Sequence, residues 1–320
     1  MSRWARLVLA ALLYAVVALV ALVVVLRAFN IDYGPLLYLI TITPYMLPLA
    51  VVALIVAVVA KMWPAVIISG VVLALLSSWW LPPFFGSTAG SGAAAPITVV
   101  TSNLEFGGAQ ASAVVALVSS QRADVLAVQE LTHSELTRLD EAGISRLLPY
   151  RVVKPDEGPA GTGLWSKYPL TALPPASGTT FASVFANVDL PWGSARLASI
   201  HPAAPQPTSN TAWRADNQIL VGILRAVSGP VMVLGDFNAT RDHRSIRELE
   251  SAGFEDASTI AGAGLVRTWP VGQAYFLPFP TPPIAGIDHV LTRDWLATAT
   301  HVDTVTIPGT DHRALVASYS

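Results

Sequence analysis

The stretch VMVLGDFNAT, residues 231–240, runs an apolar segment of strand length into a glycine and then two polar side chains, Asp236 and Asn238. Val231–Leu234 reads as a buried strand. In a tight turn, the two-residue spacing can send Asp236 and Asn238 into one pocket. The same arrangement recurs along the chain. Asn103 follows the β-rich run Ile97–Thr101, Gln129-Glu130 follows Val125–Val128, and His201 follows Arg196–Ile200. Asp288-His289 precedes Val290–Thr292, and Asp311-His312-Arg313 precedes Ala314–Ser318. A further strand is expected over Ser183–Val188, with helices over Ala111–Gln121, Trp213–Val227 and Ser245–Ala252. Strands packed on strands with helices outside give an α/β layered domain. Periodicity alone does not choose between a parallel doubly wound sheet and a two-sheet sandwich. If the strands are neighbours, the polar groups at their ends converge on one edge of the core.

The ordered set of motifs resembles the endonuclease/exonuclease/phosphatase superfamily, the deoxyribonuclease-I-like fold. Its pieces are a strand ending in Asn103, DVLAVQE (124–130), GTGLWSKYP (161–169), IHP (200–202), GDFNAT (235–240), IDHVL (287–291) and DHRAL (311–315). A lone QE or HP says little, but GDFN with a terminal DHR in this order is specific. The resemblance spans Ile97 to the C-terminus. It implies an α/β, four-layered α/β sandwich with two facing mixed sheets, and hydrolysis of phosphodiesters or phosphomonoesters with a divalent metal.

The resemblance also implies roles. Phosphoester cleavage needs an attacking water, neutralised phosphate oxygens and a stabilised leaving oxygen, and hard oxygen ligands suit Mg²⁺, with Mn²⁺ or Ca²⁺ as alternatives. Glu130 is the expected metal ligand, with Asn103, Asp236 and Asp311 as further ligands. Asp236 activates water or binds metal, and Asn238 orients phosphate. Asn103 and His201 meet the substrate, His201 through a phosphate oxygen or the leaving group. Asp288 fixes the tautomer of His312 and raises its pKa, which favours the imidazolium that meets an anionic phosphate. His133, His243, His289 and His301 read as structural, and by strand alternation His289 faces away from Asp288. One departure stands out. Where some nuclease members place a tyrosine against the phosphate, this chain has Pro159, which weakens any carry-over of abasic-site or deoxyribonuclease specificity.

Upstream of this domain the composition changes. The chain has 320 residues, 53% hydrophobic and 12% charged, against about 25% charged in a typical soluble domain. Only Arg3, Arg6, Arg27, Lys61 and Asp32 are charged within residues 1–86, so residues 87–320 keep 15 basic and 20 acidic residues, a net of −5 with histidine neutral. Long nucleic acid is usually gripped by a basic footprint, which is missing in bulk here. The absence of cysteine excludes disulfides and thiolate metal sites.

Leu7–Leu26, Leu36–Ala60 and Ala65–Trp80 are apolar runs. The first matches the roughly 20 residues needed to cross the hydrocarbon core and exceeds a signal-peptide h-region. Pro44 and Pro48 are expected to kink the second. Trp79 and Trp80 suit a membrane interface. Three spans over residues 1–85 are expected, then a Gly/Ser-type linker over 86–96 and the catalytic domain over 97–320. With Arg3, Arg6 and Lys61 inside, the positive-inside rule puts the catalytic domain outside the cytoplasmic membrane.

The long apolar segment TWPVGQAYFLPFPTPPIAGI (268–287) is either a proline-stiffened loop packed on its own domain or a lip beside the site. The expected function is a membrane-anchored phosphoester hydrolase acting on a lipid headgroup or small phosphoester. Two alternatives stand beside it: a surface nuclease scavenging nucleic acid, and a catalytically inactive receptor or scaffold on the same fold.

Overall fold

The structure is a computed structural model describing residues 2–86, 96–272 and 280–320. Most of the expected linker (87–95), and Tyr275, Phe276 and Phe279 of the apolar segment, lie outside the described residues. The chain divides into two compact units: Met1–Pro82 with Asp242–Arg244, and Pro83–Arg241 with Ser245–Ser320.

The first unit is helical, with α1 (Arg3–Ala28), α2 (Leu36–Thr41), α3 (Met46–Val59) and α4 (Trp63–Trp80). α1 starts where the Ser2 hydroxyl accepts from the Ala5 amide, a side-chain cap on an orphan donor. The second apolar run is broken rather than merely bent. A 3-10 turn, Thr43–Tyr45, separates α2 from α3 at Pro44, which cannot donate to the ladder and crowds the preceding turn. Pro48 falls in the first turn of α3, where a missing N–H costs little, and the helix runs through it. α1 and α4 are long and apolar enough to cross a membrane by length and composition; the apolar segment Thr43–Val59 is shorter. Within this unit Arg27 is buried, donates to Asp242 and lies over the Trp79 ring.

Among the described residues the second unit has twelve strands. They are β1 (Ile97–Asn103), β2 (Val125–Gln129), β3 (Tyr150–Lys154), β4 (Thr162–Ser166), β5 (Leu170–Leu173), β6 (Val184–Leu190), β7 (Gly193–Ile200), β8 (Val231–Asp236), β9 (Glu255–Asp256), β10 (Asp288–Arg293), β11 (Ala299–Thr306) and β12 (Arg313–Tyr319). Between them lie α5 (Ala111–Ser120), α6 (His133–Glu141), α7 (Ile144–Leu147), α8 (Thr211–Ala226), α9 (Arg244–Ser251) and α10 (Ala257–Ile260). The strands form two six-stranded sheets, ordered β11-β12-β1-β2-β4-β3 and β5-β6-β7-β8-β10-β9. β1/β2 and β7/β8 are parallel and the other pairs antiparallel, so both sheets are mixed.

Strand alternation builds three cores. Val99, Val125, Ala127, Leu197, Met232, Leu234 and Val290 meet between the sheets. Their neighbours Val100, Leu126 and Val128 face Val114, Leu117 and Leu139 of the helices on the first sheet. Ala198, Val233 and Leu291 face Trp213, Leu220 and Ile246 on the second. The result is the expected four-layered sandwich. A polar pin crosses the inter-sheet core, where buried Gln129 accepts from Thr101 and donates to Ser199.

Gly235 is a tight point of this scaffold and directly precedes Asp236. It lies at φ 152°, and a Cβ there would run into the carbonyl oxygen of Ile200 on the parallel neighbour β7. Gly235→Ala is expected to lower stability by about 1–3 kcal/mol through forced backbone shifts. Urea unfolding of the two proteins checks this, and an unchanged midpoint would mean that the β7–β8 spacing is not tight.

Candidate active site

The polar cluster continues the inter-sheet core at one end of the sandwich. On β1, Asn103 keeps the parity of Val99. On β8 and β10, Asp236 and Asp288 keep that of Leu234 and Val290, and they sit opposite each other in the antiparallel register. His201 extends the parity of Leu197 past the end of β7. Glu130 breaks the rule, because alternation would send it outward with Val128. Its backbone takes the left-handed conformation at φ 57°, and the turn swings its carboxylate back to the cluster.

Asn103 sits at the centre. Its Nδ2 donates to Glu130 Oε1 at 3.0 Å and to Asp236 Oδ2 at 3.1 Å, while its Oδ1 accepts from the Glu105 amide at 2.9 Å. Asn103 therefore reaches the cluster as a donor, and a ligand role requires its amide to turn over. The other Glu130 oxygen accepts from the Phe106 amide at 2.8 Å. Asp236 Oδ1 accepts from the Asn238 amide at 2.7 Å, with Asn238 at φ 49°. The Asn238 side chain donates to Pro202 O at 3.0 Å, so it shapes the turn. Its Nδ2 carries a second proton for another acceptor.

Two imidazoles face the carboxylates. His312 Nδ1 donates to Asp288 Oδ2 at 2.9 Å, and its Nε2 lies 3.6 Å from Asp236 Oδ2 and 3.9 Å from Asp311 Oδ1. Burial alone would depress its pKa, but Asp288, Asp236 and Asp311 together outweigh that and hold it up at about 10. His201 Nδ1 donates to the Pro159 carbonyl at 3.1 Å, leaving Nε2 3.6 Å from Asp236 Oδ2 and 3.9 Å from Glu130 Oε1. For His201 burial wins over the pull of Asp236, and its pKa is lowered. The residue that stands where a phosphate-facing tyrosine was sought thus serves through its main chain. Burial also raises the carboxyls of Glu130 and Asp236. All eight residues expected at the site, Asn103, Glu130, His201, Asp236, Asn238, Asp288, Asp311 and His312, are brought together.

The supporting shell includes residues that the sequence reading did not single out. Thr310 Oγ1 donates to the Asn103 carbonyl at 2.9 Å and accepts from the His312 amide at 3.2 Å. Trp269 Nε1 donates to Asp311 Oδ2 at 3.0 Å. Thr268 Oγ1 accepts from the Asp288 amide at 3.4 Å, and its carbonyl accepts from the Arg313 amide. The start of the apolar segment therefore braces the ligand-bearing strands. Thr310 has a sequence signal in directly preceding Asp311-His312, whereas chain order conceals the nearness of Thr268 and Trp269 to Asp288 and Asp311. His289 faces the helix side, as alternation requires. It bridges Asp256 Oδ2 at 2.7 Å and Ala239 O at 2.9 Å, backing the turn that carries Asp236 and Asn238.

The donor set fits a divalent cation. Glu130, Asp236, Asp288 and Asp311 outnumber the two imidazoles, the carboxyls of Glu130 and Asp236 are desolvated, and Asp288 Oδ1 is buried with no hydrogen-bond partner. Asp236, Asp288 and His312 can each offer a ligand atom within 4.8 Å of the others. With Asp288 and His312 bonded to each other, the oxygen-rich side formed by Glu130 and Asp236, with Asp311, suits a hard cation better.

The comparisons with known proteins agree with this fold. The model of the Endonuclease/Exonuclease/phosphatase family matches residues 100–312. Among solved structures, D. rerio TDP2 complexed with single strand DNA product is 14% identical, with a TM-score of 0.57 over 71% of this chain and 100% of that one. An endonuclease/exonuclease/phosphatase family protein from Bacteroides thetaiotaomicron is 14% identical, with a TM-score of 0.51 over 72% and 96%. A mannosyl-6-phosphatase of that organism is 14% identical, with a TM-score of 0.50 over 70% and 99%. At such identities the likeness establishes the fold. No curated protein sequence matches the chain.

The Asp256–His289 pair gives a pH-dependent expectation. The His289 hydrogen bond and charge overcome burial and hold Asp256 down at about 2, so its contribution is present above the usual carboxylate range and lost as pH falls through 2. Burial opposes the His289 imidazolium, but Asp256 raises its pKa, so that contribution is complete below the ordinary histidine value and lost as pH rises through the raised one. His289→Asn is expected to cost about 3–5 kcal/mol near pH 5.5, as for removing one partner of a buried pair. The deficit should shrink above the raised His289 pKa. Urea melts of both proteins at pH 5.5 and in the alkaline range decide it; a deficit independent of pH would mean that His289 is neutral.

Proposed function

The chain belongs to the Endonuclease/Exonuclease/phosphatase family, and from that premise we propose that it is a membrane-anchored, divalent-metal-dependent phosphoester hydrolase whose catalytic domain works outside the cytoplasmic membrane. The observation that carries the reading is the convergence of Asn103, His201 and His312 on one carboxylate oxygen, Asp236 Oδ2, with Glu130 tied to it through Asn103. Its substrate is a phosphodiester or phosphomonoester on a lipid headgroup or small molecule. The net negative charge of residues 87–320 favours this over extended duplex DNA.

Glu130 and Asp236, with Asp311, would hold a divalent cation, which when bound would supply Lewis-acid stabilisation of the phosphoryl oxygens. The protein's own groups do the rest. Asp236, pinned through Oδ1 by the Asn238 amide, turns Oδ2 toward the attacking water and accepts its proton. The His312 imidazolium, fixed by Asp288, presents Nε2–H to a phosphate oxygen as negative charge develops. The Asn238 Nδ2 proton not given to Pro202 orients the same group, while Asn103, whose two Nδ2 protons go to Glu130 and Asp236, positions those carboxylates around it. His201 has its Nδ1–H committed to Pro159, so it acts through Nε2 and donates to the leaving oxygen only when protonated.

The topology rests on α1, the α3 region and α4 as three spans, with Arg3, Arg6 and Lys61 on the cytoplasmic side. Protease added to intact spheroplasts should then remove the C-terminal domain. Full protection of that domain in spheroplasts, with digestion after lysis, would reverse the orientation.

Activity of the full-length chain in detergent should require added Mg²⁺, Mn²⁺ or Ca²⁺ and collapse in Glu130→Ala and Asp236→Ala. His312→Ala should lose roughly 10²–10⁴-fold in rate. Because Asp288 acts through His312, Asp288→Asn combined with His312→Ala should be no slower than His312→Ala alone. Additive losses would assign Asp288 an independent role. A folded wild-type chain inert toward phospholipids, nucleic acids and phosphomonoesters with all three metals would favour the scaffold reading.

A further inference from the structure

The loop Leu104–Ala109 leaves β1 directly below Asn103 and passes beside the Glu130 carboxylate. Glu105, Phe106 and Gly107 take φ values of 44°, 53° and 73° in succession, three left-handed residues of which only the last is glycine. That conformation is disfavoured for a side chain with a Cβ. Phe106 gains no burial in exchange, since it is 57% exposed. Glycine would satisfy the backbone better, so the phenyl ring at this position has no explanation in the packing of the domain.

The loop is nonetheless held tightly. The Phe106 amide donates to Glu130 Oε2 at 2.8 Å and the Glu105 amide to Asn103 Oδ1 at 2.9 Å. The Gly108 amide donates to Glu105 O at 2.8 Å and the Ala109 amide to Leu104 O at 3.0 Å. The Gly107 carbonyl accepts from Arg138, and Gly107 packs so closely on Thr132 that a Cβ would strike its hydroxyl. The Phe106 ring is thus an exposed group on a rigid mount. Covalent geometry places its centre within about 8 Å of the Glu130 carboxylate, close enough to touch what a phosphoryl group bound there carries. Backbone strain at a functional centre commonly serves such pre-organisation.

We propose that Phe106 is a specificity-determining residue, an aromatic wall that receives the organic substituent of the phosphoester, and that this substituent presents a planar ring. The inference rests on the phosphoester hydrolase reading above. A ring needs few fixed torsions to present a large apolar face, which suits recognition by stacking. Stacking contacts of about 1–3 kcal/mol correspond to roughly 5- to 150-fold in affinity.

The test uses the full-length chain in detergent micelles with the activating metal and two diesters, bis(4-nitrophenyl) phosphate and methyl 4-nitrophenyl phosphate. Both release 4-nitrophenolate and differ only in the group retained on phosphorus. The readout is the ratio of their kcat/KM values, compared between proteins so that intrinsic reactivity cancels. Phe106→Ala should lower the aryl-to-methyl ratio by about 10-fold or more, and Phe106→Trp should keep it within about twofold. Phe106→Gly should lose the ratio while melting no lower than wild type, which separates recognition from folding. An active wild type with an unchanged ratio in Phe106→Ala, or an equal loss in Phe106→Trp, overturns the inference alone. A wild type inert to both diesters but active on another phosphoester also overturns the inference alone, whereas one inert to these diesters and to phospholipids, nucleic acids and phosphomonoesters overturns the hydrolase reading together with it.

Discussion

Four carboxylates, those of Glu130, Asp236, Asp288 and Asp311, share one buried edge of a two-sheet sandwich, and the surrounding structure answers that repulsion. Like charges at such separations in a poorly solvated site interact by several kcal/mol. Each carboxylate is met by a fixed donor. Glu130 has the Phe106 amide, Asp236 the Asn238 amide, Asp288 the His312 ring and Asp311 the Trp269 indole. Asn103 spans two of them with a single nitrogen. The residual charge is what a divalent ion would relieve, and the same shortage of positive charge keeps His312 protonated.

Much of this was written in strand parity. Asn103, His201, Asp236 and Asp288 each extend an inward-facing alternation already marked by Val99, Leu197, Leu234 and Val290, so a reader who trusts the period of two can place them on one face. The motif order then brings in the rest. Glu130 shows where parity stops, because its left-handed turn cancels the alternation, and local propensity does not announce such a turn at a glutamate. The bracing residues Thr268, Trp269 and Thr310 were illegible for another reason. Asp288, Asp311 and Asn103, which they respectively brace, are remote from them in sequence, and a threonine or tryptophan in a loop carries no sign of which of these it will meet.

The elements that the sequence hid are also explicable. β3, β5, β9 and β11 were not anticipated. β3, β5 and β11 lie at or near sheet edges with half-exposed patterns, and β9 has two residues. Such strands lack the continuous apolar run that marked β1, β2 and β8. In the helical unit Pro44 was expected to kink one span and instead separates two helices, whereas Pro48 sits early enough in α3 to be harmless.

The candidate site residues are divided between the two layers. Asn103 and Glu130 come from the sheet that contains β1 and β2, while His201, Asp236 and Asp288 come from the sheet that contains β7, β8 and β10. Neither layer alone holds a usable site, and besides hydrophobic packing the join is pinned through Gln129 in the core and through the Asn103–Asp236 and His312–Asp288 bonds at the site. Ion affinity is therefore a gauge of inter-layer docking, more sensitive than backbone content. A loosened state that keeps both sheets but lets them slide by an ångström would retain its far-ultraviolet dichroism and lose its ion first. By mass action, a divalent ion bound there would act as a rivet between the layers.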